Sequence, residues 1–66
     1  MNHRVFLDVL NYLSINFPER TITAELAESY YNDLKDLEPD QLWVAARAWV
    51  ARATRFPFVA ELRTAP

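Results

Sequence analysis

Not one of the 66 residues is glycine, where average usage of about 7% would give roughly five. Glycine is the residue that reaches positive φ without a steric penalty, so primed hairpin turns depend on it. A chain without it is poorly suited to tight β-hairpins. It also lacks the glycines that let backbone approach phosphate in a P-loop or a dinucleotide-binding turn. Punctuation falls to four prolines, Pro18, Pro39, Pro57 and Pro66. Helices separated by proline-marked connections are the architecture this permits.

The apolar periodicity agrees. Residues 3–16 place Phe6, Leu10, Leu13 and Phe17 on one line, flanked by Val5, Val9 and Tyr12, a broad stripe at 3.6-residue spacing. Pro18 discourages helix at Phe17. A second helix is predicted over residues 24–36, with Thr23 or Thr21 as N-cap and Glu25 in the first turn, where the helix dipole favours a carboxylate. Its apolar line is Leu26, Tyr30, Leu34 and Leu37, with Tyr31 on the border. Glu25, Glu28, Ser29, Asn32 and Asp36 make the opposite, acidic face. The third helix starts at Pro39, suited to the first helical position because its missing N–H would be unpaired there, and is expected to run to about Thr54. Leu42, Ala45, Trp49 and Ala53 cluster inward on this reading, with Trp43, Ala46 and Val50 continuing the stripe and both tryptophans in the core. The outer arc holds Arg47, Arg52 and Arg55 among Val44, Ala48 and Ala51. Phe56 precedes proline and is expected to be extended. Pro57 then opens a short turn of helix from which Val59 and Leu62 fold back. The expected fold is all-α: a compact bundle of three main helices plus a short C-terminal helical turn. It forms a single helical domain over residues 1–66, readable as the N-terminal domain of a longer protein.

The hydrophobic fraction of 52% and nine aromatic residues are too apolar for disorder. The longest apolar runs are a few residues, too short for a membrane span. The N-terminus MNHRVFLDVL lacks the apolar stretch and cleavage site of a signal peptide. There is no cysteine, which removes disulfides, thiolate metal sites and a cysteine nucleophile. Small secreted domains usually carry such staples, so a cytoplasmic location is expected.

No catalytic, cofactor-binding or metal-binding residues are expected. The single histidine, His3, lies near the terminus, and neither Ser14 nor Ser29 is placed by spacing to form a triad with it. Asp33, Asp36, Glu38 and Asp40 loosely resemble a calcium loop. Counting from Asp33, however, puts Glu38 where an EF-hand needs glycine and Val44 where it needs a bidentate Glu.

Charge is unevenly spread. Residues 19–41 carry seven carboxylates against Arg20 and Lys35, while residues 47–63 carry Arg47, Arg52, Arg55 and Arg63 against Glu61. Such polarity suits an electrostatically oriented contact; two solvated faces are the plainer reading. The arginines of the third helix could meet phosphates, yet the domain is acidic overall, whereas nucleic-acid modules tend to be basic. Direct nucleic-acid binding is therefore the lesser expectation. Protein binding is the greater one, with Arg47, Arg52, Arg55, Glu61 and Arg63 as candidate partner-binding residues, since arginine is enriched at interface hot spots.

From Tyr30 the sequence reads YYNDLKDLEPDQLWVAARAWVARATRFPFVAELR. Tyr31 and Leu34 lead into Leu37-Glu38-Pro39. An alanine-rich helix with Trp43 and Trp49 follows. It breaks at Arg55-Phe56-Pro57 and ends in Val59-Ala60-Glu61-Leu62. This half of the chain resembles the N-terminal helical domain of phage replicative helicase loader/inhibitor proteins, with Phe58 at a position where that family often has a second proline. The resemblance implies a replisome adaptor without enzymatic activity. It would contact a hexameric replicative helicase and an origin-binding replication protein, in the cytoplasm of a bacterial or phage-infected host. A small helical DNA-binding regulator and a generic scaffold or oligomerisation domain are the alternatives.

Overall fold

A computed structural model describes residues 1–63. Four helices follow in order: α1 (His3–Asn16), α2 (Ala24–Leu34), α3 (Pro39–Arg52) and the short α4 (Val59–Arg63). Among the described residues there is no strand and no residue with positive φ, as a glycine-free chain requires. None of the helices is long and apolar enough to cross a membrane.

Each start has a local cause. Asn2 caps α1, its Oδ1 accepting from the Arg4 N–H at 2.7 Å. Thr23, not Thr21, caps α2 by accepting from the Leu26 N–H at 3.1 Å. At α3, Pro39 occupies the first turn, and Gln41 Oε1 reaches back to the Glu38 N–H at 2.9 Å, one arm of a capping box. At α4, Glu61 reaches back in the same way to the Phe58 N–H at 2.8 Å.

The ends depart from expectation. α2 stops at Leu34, not Asp36, and carbonyls at and just past its end are satisfied by groups from elsewhere in the chain. Arg63 donates to the Asp33 carbonyl at 2.8 Å, and the Met1 ammonium donates to the Lys35 carbonyl at 3.3 Å. Cations there complement the negative end of the helix dipole. α3 stops at Arg52, with Ala53 already extended, so that the chain can turn and bury Phe56. Nor does Pro57 open the last helix: it is fully buried, and the helix starts two residues later at Val59.

The core is one cluster. Phe6, Val9, Leu10, Leu13 and Phe17 come from α1 and its C-cap, Tyr30 and Leu34 from α2, Leu42, Ala45 and Ala46 from α3, and Phe56 and Leu62 from the C-terminal segment. Leu13 and Leu42 are wholly excluded from solvent, and a leucine so placed contributes about 1.5–3 kcal/mol by burial. α1 packs against both α2 and α3, and α4 does the same from the other side, whereas α2 and α3 do not pack directly on each other. The outer faces of α2 and α3 therefore belong to different flanks of a molecule measuring 27 × 26 × 18 Å.

Trp43 and Trp49 correct the expectation that both lie in the core. Each is half-buried and packed against the cluster from its margin. On α3 it is Leu42 and the small Ala45 and Ala46 that are buried in the cluster, while the two indoles stay at its margin.

Candidate functional site

α3 presents an outer ridge of Val44, Ala48 and Ala51, all exposed, with Val44 56% accessible. At about 100° per residue, Arg47 and Arg52 fall on the two sides of that ridge. Both arginines are laid on tryptophan. The Arg47 guanidinium carbon sits 5.2 Å from the Trp43 ring centroid, and that of Arg52 sits 5.3 Å from Trp49. These are cation–π distances. Trp43 is itself fixed by an edge contact with Tyr12, centroids 5.7 Å apart. Neither Arg47 nor Arg52 makes an ion pair among the described residues.

Arg55, Glu61 and Arg63 are placed differently. Arg55 grips Glu61 through both guanidinium nitrogens, one at 2.9 Å. It also lies over Trp49 at 5.1 Å and over Phe58 at 4.9 Å, while its carbonyl accepts from the Trp49 indole N–H at 2.7 Å. This knot joins the end of α3 to the start of α4. The Arg55 pair, helped by the Phe58 N–H, holds the Glu61 carboxyl below its ordinary 4.5 and raises Arg55 in turn. Arg63 grips Asp36 at 2.7 and 2.9 Å, which pulls that carboxyl from 3.8 to about 2. Three of the five sequence-chosen residues thus hold the C-terminal segment against the bundle. Arg47 and Arg52 are exposed and make no ion pair among the described residues, although the charge of Arg52 also helps to lower the Glu61 carboxyl.

Several contributors carried no sequence signal. Tyr30 donates from its buried hydroxyl to the Pro57 carbonyl at 2.8 Å, and burial pushes its phenol up in pKa against the pull of Arg20. Glu19 accepts from the Phe56 N–H at 3.2 Å, and Tyr31 donates to the Met1 carbonyl at 3.3 Å. These contacts span 27 to 37 residues. The Glu61 cap had no full signature either, since a capping box begins with Ser, Thr, Asp or Asn and Phe58 stands there.

No family model, curated protein or solved structure matches the chain. His3, the one histidine, is exposed, its ring edge-on to Tyr31 at 4.6 Å. Among the described residues no three His, Cys, Asp or Glu side chains are grouped so as to hold a metal ion. The arrangement on α3 can supply two outward cations beside a smooth apolar ridge, which suits contact with an acidic amphipathic segment.

Proposed function

We propose that this domain is a non-catalytic protein-binding adaptor of DNA replication, and that the outer face of α3 is its contact surface. The observation that carries the binding role is the pair Arg47 and Arg52, exposed and laid on Trp43 and Trp49. An arginine already ordered on an indole loses less side-chain freedom on binding than a free one. Tryptophan and arginine are also the residues that dominate interface hot spots. Val44, Ala48 and Ala51 between them leave room for a partner helix to lie close.

The finer assignment, loading or inhibiting a hexameric replicative helicase, is supported by the Leu37-Glu38-Pro39 to Phe56-Pro57 framework and its resemblance to phage loader/inhibitor domains. In this reading Arg47 and Arg52 meet the partner, while Arg55, Glu61 and Arg63 act from behind by fixing Trp49 and the α4 segment.

The test is binding of the purified domain to the replicative helicase of the bacterial host. Arg47→Glu with Arg52→Glu should weaken it at least about tenfold, equivalent to 1.4 kcal/mol, with an unchanged helical circular dichroism spectrum. Retained binding in that variant would move the contact off α3. The same two arginines favour a second reading, phosphate contact by a DNA-binding regulator. Its signature is binding to duplex DNA that falls steeply as salt rises, with none to the helicase.

A further inference from the structure

We propose that the occupant of the α3 face is an acidic amphipathic helix, whose carboxylates do for Arg47 and Arg52 what Glu61 does for Arg55. This rests on the α3 face being the contact surface, as proposed above, and adds the chemistry of what meets it. Arg55 is the template. Its guanidinium lies over the Trp49 ring at 5.1 Å and takes the Glu61 carboxylate through both terminal nitrogens. An arginine laid on a ring keeps the edge of its planar fork available, and that edge matches a carboxylate with two parallel N–H···O bonds. Arg47 and Arg52 repeat the first half of this arrangement, on Trp43 and Trp49 at 5.2 and 5.3 Å. The second half is absent: neither makes an ion pair among the described residues. The charge of Arg52 does reach Glu61 and helps to lower that carboxyl, but the carboxylate itself is gripped by Arg55.

The chain has no carboxylate of its own placed to complete the pairs. From Trp43 to Ala60 the sequence holds three arginines and no Asp or Glu. The acidic side of α2 lies on a different flank, since α2 and α3 do not pack on each other. The missing carboxylates therefore come from outside. Duplex DNA is a poorer source of anions for this face. Its affinity builds from many phosphate contacts made together, whereas the face offers two arginines on a chain with a net charge of −2.

The helical form of the occupant follows from what lies between the arginines. Val44, Ala48 and Ala51 recur at four and three residues, rising about 10 Å along the axis. A partner helix with the same spacing seats its own ridge against them, and helix axes approach to about 8–10 Å when the side chains at the contact allow it. Arg47 and Arg52 are about 7.5 Å apart along the axis and about 140° apart around it. The partner's carboxylates accordingly flank its apolar stripe, one on each side. With two pairs and a narrow ridge the contact is weak, and high salt dissolves it because both arginines are exposed and so screened.

NMR of the full chain tests this, with amide and indole N–H shifts followed as peptides are added to about 1 mM. One probe is a capped helical peptide of about 18 residues, with leucine at alternating three- and four-residue spacing and glutamate on both flanks of that stripe. Its counterpart carries lysine in place of each glutamate. The acidic probe should move the Trp43 and Trp49 indole signals and the amides of residues 43–52, and the lysine probe should not. In Arg47→Glu/Arg52→Glu the preference should reverse, by at least about tenfold in the ratio of the two affinities. Both positions are exposed, so the exchange leaves the core intact, and capture of the lysine probe is a gain that an unfolded chain would not show. An α3 unmoved by the acidic probe overturns the proposal, as do equal binding of both probes by wild type and a variant that keeps the wild-type preference. A DNA duplex that moves the same signals at lower concentration than the acidic probe overturns it in favour of phosphate. Helicase binding separates the two readings. If the helicase is bound through Arg47 and Arg52 and the acidic probe is not, only the present inference fails. If the acidic probe is bound on α3 and the helicase is not, only the adaptor reading fails.

Discussion

Tyr30→Phe removes one oxygen from the middle of the fold and tests how the C-terminal segment is held. The Tyr30 hydroxyl donates to the Pro57 carbonyl at 2.8 Å inside the core, linking α2 to the connection between α3 and α4. Phenylalanine keeps the ring and its edge contact with Phe56, centroids 6.0 Å apart. The substitution therefore deletes a hydrogen bond and leaves the buried carbonyl short of that donor, with little change in packing. Leaving a buried acceptor unsatisfied costs about 1–3 kcal/mol. A chain of this length has a total stability on the order of 3–10 kcal/mol, so the loss is a sizeable share. It corresponds to a fall in melting temperature of roughly 4–8 °C per kcal/mol. Thermal and urea melts followed by circular dichroism measure it, with Tyr12→Phe as control, since Tyr12 lies half-buried at the edge of Trp43 and its hydroxyl has no such core bond. If Tyr30→Phe melts with wild type, the Pro57 carbonyl finds water, and the segment is held by Phe56 and Leu62 burial alone.

The remaining predictions concern acid and capping. Asp36 and Glu61 both have carboxyls depressed by their arginine partners. Their pairs stabilise fully above the ordinary values of 3.8 and 4.5 and lose that contribution as pH falls through the folded values, about 2 for Asp36. The urea midpoint should therefore drop as pH falls from about 4.5 to 2, and Asp36→Asn with Glu61→Gln should flatten that limb; an unaltered limb in the double variant would place acid sensitivity elsewhere. Thr23→Ala should cost about 1 kcal/mol by removing the α2 cap, read as a shift in urea midpoint. Thr21→Ala should be silent, and equal losses at the two positions would contradict the observed cap.

Much of the fold was legible in the residue order because helix formation and its punctuation are local. Phe6, Leu10, Leu13 and Phe17 mark a buried stripe by spacing alone. Pro39 starts α3 because a proline at the first turn gives up no hydrogen bond, and Thr23 caps α2 because its hydroxyl reaches an N–H three residues on. The absence of glycine kept the chain out of positive-φ turns before any contact was known. Where helices end was less legible. The Asp33 and Lys35 carbonyls at the end of α2 are taken by Arg63 and Met1, thirty or more residues away in sequence, and no local pattern announces such partners.

The candidate surface divides along the same line. Sequence placed Arg47, Arg52 and Arg55 together on the outer arc of α3, since periodicity fixes which residues share a helical face. Only the tertiary structure set Arg55, Glu61 and Arg63 apart as internal ties and left Arg47 and Arg52 outward, because an ion pair depends on two elements meeting in space. It also decided that the tryptophans edge the core. The inward positions of α3 are filled by Leu42, Ala45 and Ala46, and both indoles stay at the margin of the cluster. The chain by itself determined helices, faces and charge; packing decided which charges are paired within the fold and which are not.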